Sequence, residues 1–232
     1  MPIDMAVFDL AGTTVWDGDN AVASRLCEAI HAVDKSVTIE DVNPVTGMYK
    51  PDAIRALLGG SPDNRLIHDI YEDFKRRMVD HYRTQPHIRE IPGAGDLFRE
   101  LRKRGVAVTV DTGFDAGTLG AILDRLQWHE LVDHAISSDD VEQGRPHPEM
   151  IHALMHRAGV TEPARVVKVG DSLSDIEQGI NARCGVVIAV LNQRTTPLVD
   201  RYPQVHFVAE LAEVVPILET SGLRPVESGQ SC

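Results

Sequence analysis

Ile3-Asp4-Met5-Ala6-Val7-Phe8-Asp9-Leu10 is a short apolar run that ends in Ala11-Gly12-Thr13-Thr14. The run is too short for a helix and the Gly-Thr-Thr stretch demands a tight turn, so the segment reads as a buried strand that opens the fold. Working outward, β-branched runs recur at Val106-Ala107-Val108-Thr109-Val110, Val166-Val167-Lys168-Val169 and Val186-Val187-Ile188-Ala189-Val190. Weaker ones stand at Ala135-Ile136 and Val205-His206-Phe207-Val208. Between them lie amphipathic stretches at about 93–104, 114–127, 147–158, 174–182 and 209–220. Strands alternating with helices of that length make βαβ units around a buried parallel sheet.

Residues 19–86 break the rhythm. Ala21 to Val33, Asp52 to Leu58 and Asp63 to Tyr82 are helical in pattern, with no convincing strand among them. The expected organisation is an α/β, Rossmann-like core from 1–18 and 87–232, with a helical cap inserted over 19–86. Residues 221–232, rich in Gly, Ser, Pro and Glu, read as a frayed end.

Charge narrows the function. The 232 residues carry 23 Lys+Arg against 35 Asp+Glu, a formal charge of −12. That balance argues against nonspecific nucleic-acid binding and against docking on an anionic membrane. No apolar run is long enough to span a bilayer, and Cys27, Cys184 and Cys232 lack disulfide or zinc spacing. A soluble protein of the reducing cytoplasm is expected, with a homodimer among the assemblies left open.

Open parallel sheets bind ligands outside the carboxyl ends of their strands. Asp9, Gly12, Thr13 and Thr14 follow the first strand, Asp111, Thr112 and Gly113 the 106–110 strand, and Gly170, Asp171, Ser172 and Asp175 the 166–169 strand. Convergent carboxylates need a cation, and an all-oxygen set favours Mg²⁺ over zinc. A metal beside Gly-rich turns describes a phosphoryl site, in which Thr112 and Arg145, the latter stiffened by Pro146, can hold phosphate oxygens.

In order, Asp9-Leu10-Ala11-Gly12-Thr13, Val110-Asp111-Thr112-Gly113, Gly144-Arg145-Pro146 and Gly170-Asp171-Ser172-Leu173-Ser174-Asp175 resemble the four motifs of the haloacid dehalogenase-like hydrolases. The resemblance covers essentially the whole chain. It implies that Asp9 is the nucleophile, forming an aspartyl-phosphate. It implies that Mg²⁺ is held by Asp9, the Ala11 carbonyl and Asp171, with Asp175 completing the metal site, and that Thr112 and Arg145 bind the phosphoryl group. Gly12, Thr13 and Gly113 belong to the implied substrate-binding set.

The departures from the family pattern carry information. Most phosphatases of the family have a proton-transferring Asp where this chain has Ala11, and a methyl group forfeits a contribution of roughly 10²–10⁴-fold. The phosphonatase subgroup shares Asp-x-Ala-Gly-Thr-Thr and Arg in the third motif. Its members use a cap lysine that forms a Schiff base with phosphonoacetaldehyde, so that the carbon departs as an enamine. The matching residue is Lys50, in Thr46-Gly47-Met48-Tyr49-Lys50-Pro51-Asp52-Ala53. Thr46 and Ala53 replace a Met and a His of the subgroup pattern, and Pro51 biases Lys50 away from helical geometry.

Three readings of function stay open: a phosphonatase-like hydrolase of a small phosphonate or phosphate metabolite, an ordinary phosphomonoesterase, and a non-catalytic sensor of a phosphorylated ligand. Blander roles stand beside the sharp ones. Asp9 suits a turn, Asp171 and Asp175 could cap a helix, Thr112 could cap the 114–127 helix, and Lys50 and Arg145 could be surface charges. The ten histidines share no ligand pattern, and Trp16 and Asp17 stand at the hinge into the insert.

Overall fold

The computed structural model describes residues 2–45 and 48–225. Its main sheet has six strands: β1 (Met5–Asp9), β4 (Ala107–Asp111), β5 (His134–Ile136), β6 (Val166–Gly170), β7 (Val186–Val190) and β8 (His206–Val208). All neighbours are parallel, in the order β5-β4-β1-β6-β7-β8. The chain builds to one side of β1 through β4 and β5, then crosses to β6 on the other. β1 therefore stands at the reversal of strand order, where a crevice opens beyond the strand ends.

The opening strand is buried on both faces, and its alternation sorts the layers. Ala6 and Phe8 join the larger core with α5 (Ala94–Lys103), α6 (Ala116–Leu126) and α9 (Val214–Ser221). Met5 and Val7 face the other way, against Met150, Ile151 and Leu154 of α7 (Glu149–Ala158). α8 (Leu173–Asn181) covers the far side through Ile176 against Val187 and Ala189. A period of two buried on both sides is what a helix-covered parallel sheet requires.

Between β1 and β4 the chain forms α1 (Ala21–Ile30), α2 (Ile39–Val42), α3 (Lys50–Leu58) and α4 (Asn64–Thr84), with no strand among the described residues of 19–86. The two linkers into this unit pair as a short antiparallel ribbon, β2 (Val15–Trp16) against β3 (Arg89–Glu90). Across it the Arg89 guanidinium lies 3.8 Å from the Trp16 ring centre. α4 also reaches the core: Phe74 and Tyr82 set their rings 6.4 and 6.0 Å from Phe114.

Several details differ from the sequence expectation. The ribbon strands have two residues each, too few to leave a periodic signature. α2 is fixed by a capping box between Thr38 and Asp41, a signal too local for a four-residue helix to stand out. α3 starts at Lys50 itself, because a proline in the first turn displaces no intrahelical hydrogen bond. The 209–220 stretch divides into a 3-10 turn at Leu211–Glu213 and α9. The expected frayed end is ordered as far as it is described: Leu223 is buried and Arg224 pairs with Asp4 at 3.0 Å. The rest of that expectation, residues 226–232, lies outside the described residues.

Phe98 sits between Phe8 and Trp128, with ring centres 4.9 and 5.0 Å away, and joins the sheet to the helical layer. Phe98→Ala is expected to destabilise the protein by about 3–5 kcal/mol in urea unfolding, with Phe98→Leu costing less. Equal midpoints for wild type and Phe98→Ala would contradict this packing.

Candidate active site

The carboxyl ends of β1, β4 and β6 bring the motif residues together. In the β1–β4 register Asp9 lies opposite Asp111. The turn after β1 is closed by Gly12 at φ +86°, a conformation that favours glycine. A side chain there would also overlap Oδ2 of Asp171. The Thr13 hydroxyl donates to Asp9 Oδ2 at 3.1 Å and the Thr14 hydroxyl to the Asp9 carbonyl at 2.9 Å.

Arg145, on the loop before α7, reaches in and donates through Nη1 to Asp9 Oδ1 at 2.7 Å and to Asp175 Oδ1. The Arg145–Pro146 peptide is cis. Lys168 arrives from within β6 and bonds Asp111 Oδ1 at 2.5 Å and Asp175 Oδ1 at 3.1 Å. Its stem passes under α8 at Gly179, where a Cβ would lie 3.0 Å from that of Lys168. Three carboxylates and two cations thus share one buried cluster, in which each charge is compensated by direct contact.

The electrostatics follow from burial and pairing. Burial pushes Asp9 up to about 6, with Arg145 pulling against it, so the carboxylate is ionised at neutral pH. Burial also acts on Asp175, but Arg145 and Lys168 outweigh it and hold this carboxyl well below the usual range. Burial draws Arg145 and Lys168 down, and the surrounding carboxylates more than restore them. Burial raises Asp171 to about 7 against the pull of Arg194.

Asp9, Asp171, Asp175 and Arg145, but not Lys168, line one cavity of about 150 Å³. Asp9, Ala11, Gly12, Thr112, Gly113, Arg145, Asp171 and Asp175 line it from the core, and Lys50 from the helical insert. Val15, Trp16, Ala21, Val22 and Phe114 supply apolar wall. Thr13 is absent from this lining because its hydroxyl is turned to Asp9. Lys50 is 3% exposed, donates to the Met48 carbonyl at 3.0 Å and lies 5.7 Å from the Phe114 ring centre. Burial, and then Arg145, lower its amine to about 8. Ala53 is buried on the same helix; Thr46 lies outside the described residues.

The bland alternatives have concrete outcomes. The cap of α8 is Ser172, whose hydroxyl accepts from the Asp175 N–H at 3.4 Å. The cap of α6 is Asp115, while the Thr112 hydroxyl accepts from the Phe114 N–H at 3.2 Å. Neither Lys50 nor Arg145 is a surface charge.

An all-oxygen metal site fits what is present. The close approach of Gly12 to Asp171 sets the Ala11–Gly12 backbone against a carboxylate, and Asp9 supplies a second hard donor at the same strand edge. Asp9 and Asp175 each have both oxygens bonded, Asp9 by Arg145 and Thr13 and Asp175 by Arg145, Lys168 and Ser172, while Asp171 accepts from Asn192 and Arg194 through Oδ2.

Lys168 carries a sequence signal outside the four motifs: a lone lysine inside an apolar strand. Asn192 and Arg194, which bond Asp171 from the loop after β7, carry none. Asp17, noted in the sequence at the entry to the insert, also belongs to the site. Its Oδ2 accepts from Tyr82 Oη at 2.8 Å, and its carbonyl accepts from His81 Nε2 at 2.8 Å and His87 Nε2 at 3.1 Å. It is buried, lines the cavity and ties both linkers to α4.

The sequence profile of the haloacid dehalogenase-like hydrolases matches residues 6–189. A phosphonoacetaldehyde hydrolase of Bacillus cereus is 28% identical over 99% of this chain and 90% of its own length. A phosphonoacetaldehyde hydrolase-like protein from Oleispira antarctica superposes with a TM-score of 0.81 at 19% identity, over 100% of this chain and 96% of that one. A hydrolase from Pseudomonas syringae gives 0.83 at 19% identity, over 94% and 99%.

Asp17 predicts a pH response. Burial raises its carboxyl to about 6, with Tyr82, Arg194 and His87 pulling the other way. The folded state therefore holds this proton more tightly than the unfolded chain, and stability falls as pH rises from about 4 through about 6. The loss is of the order of 3 kcal/mol and levels off above that window. Between pH 4.5 and 7.5, Asp17→Asn should gain on wild type by an amount of that order in urea unfolding. A pH-independent difference would show that this carboxyl does not titrate there.

Proposed function

The chain belongs to the haloacid dehalogenase-like hydrolases, and from that premise we propose a phosphonatase-like activity. A small phosphonate or phosphate is hydrolysed through a phospho-Asp9 intermediate, and the most specific form is C–P cleavage of phosphonoacetaldehyde through an imine on Lys50. The observation that carries the reading is the placement of Lys50. Its amine is buried in the same small cavity as Asp9 and is lowered to about 8. Roughly a quarter is then neutral at pH 7.5, and the neutral amine is the form that attacks a carbonyl.

In the proposed sequence the Lys50 amine adds to the aldehyde and water leaves, giving a protonated imine. Asp9 attacks phosphorus, the P–C bond breaks, and its electron pair passes into the imine to make an enamine. This electron sink removes the need for an acid at position 11, where Ala11 has none to offer. Protonation of the enamine at carbon and hydrolysis of the imine return acetaldehyde and free Lys50; water then cleaves phospho-Asp9 to phosphate.

Arg145 holds the phosphoryl oxygens while remaining anchored by Asp175, and Thr112 with the Gly113 backbone frames the same group. Asp9, the Ala11 carbonyl and Asp171 would hold Mg²⁺, with Asp175 fixing the neighbouring cations. When bound, the metal supplies charge neutralisation to the phosphoryl group. Residues 19–86 are proposed to act as a lid that carries Lys50 to the substrate and excludes water, hinged at the β2–β3 ribbon. The cavity volume suits a metabolite of a few heavy atoms. One observation favours an ordinary phosphomonoesterase: Ala53 offers no proton-transfer group for imine chemistry.

Borohydride reduction in the presence of phosphonoacetaldehyde, followed by peptide mass spectrometry, is expected to place a stable adduct on Lys50. Lys50→Arg should lower turnover of this substrate by at least about 10²-fold and change phosphate-ester hydrolysis far less. Ester turnover with no adduct would instead support the phosphomonoesterase.

A further inference from the structure

Arg194 stands on the loop after β7, and its guanidinium bonds Oδ2 of Asp171. The same oxygen accepts from Asn192 Nδ2 at 2.9 Å. The loop is built to present this arginine. Asn192 Oδ1 accepts from the backbone N–H of Arg194 at 2.7 Å and of Thr195 at 3.0 Å, and the Thr195 hydroxyl ties back to the Val190 carbonyl at 2.8 Å. Asn192 Nδ2 also donates to the Asp171 carbonyl at 2.8 Å.

Cations are allocated by residue around the cavity. Arg145 and Lys168 are shared among Asp9, Asp111 and Asp175, and among the described residues Arg194 is the cation paired with Asp171. Arg194 Nε is buried and has no hydrogen-bond partner among the described residues. Its guanidinium is therefore placed by the carboxylate and not by a network of its own. Asp171 is 4% exposed in its side chain, whereas Arg194 is 32% exposed, so the arginine has a route toward solvent that the carboxylate lacks.

Resting on the reading of Asp171 as a metal ligand, we propose that Arg194 is an internal counter-ion of the metal site. It holds the Asp171 side chain aimed at the Ala11–Gly12 turn before Mg²⁺ enters, and it competes with Mg²⁺ for the same carboxylate. Two cations cannot both saturate one buried carboxylate without repelling each other. Metal entry therefore moves the guanidinium outward, and metal affinity is lower than the oxygen donors alone would give. Arg194 is a positioning residue, acting through Asp171.

The test is calorimetric titration of Mg²⁺ into the metal-free full chain, paired with thermal melting with and without Mg²⁺. Arg194→Ala is expected to bind Mg²⁺ on the order of tenfold more tightly than wild type. It should melt lower than wild type without metal, with the gap narrowing at saturating Mg²⁺. Arg194→Lys, which keeps the charge, should stay close to wild type, as should Gln193→Ala on the same loop. If Asp171→Asn weakens Mg²⁺ binding while Arg194→Ala leaves it unchanged or weaker, the counter-ion role is overturned and the ligand assignment survives. If Asp171→Asn leaves binding intact, the ligand assignment falls and the counter-ion role with it.

Discussion

Five charged side chains, Asp9, Asp111, Asp175, Arg145 and Lys168, are buried together at the edge formed by three adjacent strands. Burying one such charge alone would cost several kcal/mol, so each constrains where the others stand. The β1–β4 register sets the like charges of Asp9 and Asp111 side by side, and Arg145 and Lys168 between the carboxylates satisfy this demand. So do Gly170, where a side chain would overlap Asp175, and Gly179, which lets the Lys168 stem through. The cluster also leaves Asp9 ionised, accessible to the cavity and beside a guanidinium, as a carboxylate nucleophile for a phosphoryl group must be.

The helical insert completes that cavity. Lys50 contributes an amine beside an arginine and an aromatic ring, and burial with the arginine lowers it to about 8. Asp17 and the β2–β3 ribbon join the two linkers, so the insert is attached to the core through a short, internally bonded connection. The proposed chemistry draws one element from each part of the chain: the strand ends for charge and the insert for the amine. Ala11 makes that division consequential, because no proton donor stands two residues after Asp9.

Much of this was legible in the sequence. β-branched runs spaced by amphipathic stretches specify the parallel sheet, and polar residues after three of those runs specify the ligand edge. What was not legible depends on three-dimensional contacts. Lys168 reads as one residue of a strand until its carboxylate partners close around it. Lys50 stands out only by its resemblance to the subgroup's cap lysine, and its burial at the cavity depends on how the insert folds. Asn192 and Arg194 belong to a loop without a motif, and their meaning comes from Asp171 alone. Tyr82, His81 and His87 converge on Asp17 from a helix and a return linker more than sixty residues away in sequence. Boundaries shifted where local capping governed, as at Thr38 and Asp41.

The central claim is that Asp9 itself accepts the phosphoryl group. Rapid acid quench of the Mg²⁺-supplemented protein turning over ³²P-labelled phosphonoacetaldehyde, with peptide mapping of the label, tests it most directly. The account predicts transient labelling of the peptide that contains Asp9, lost in Asp9→Asn. Release of labelled phosphate with no labelled protein at any quench time, or undiminished turnover by Asp9→Asn, would contradict it.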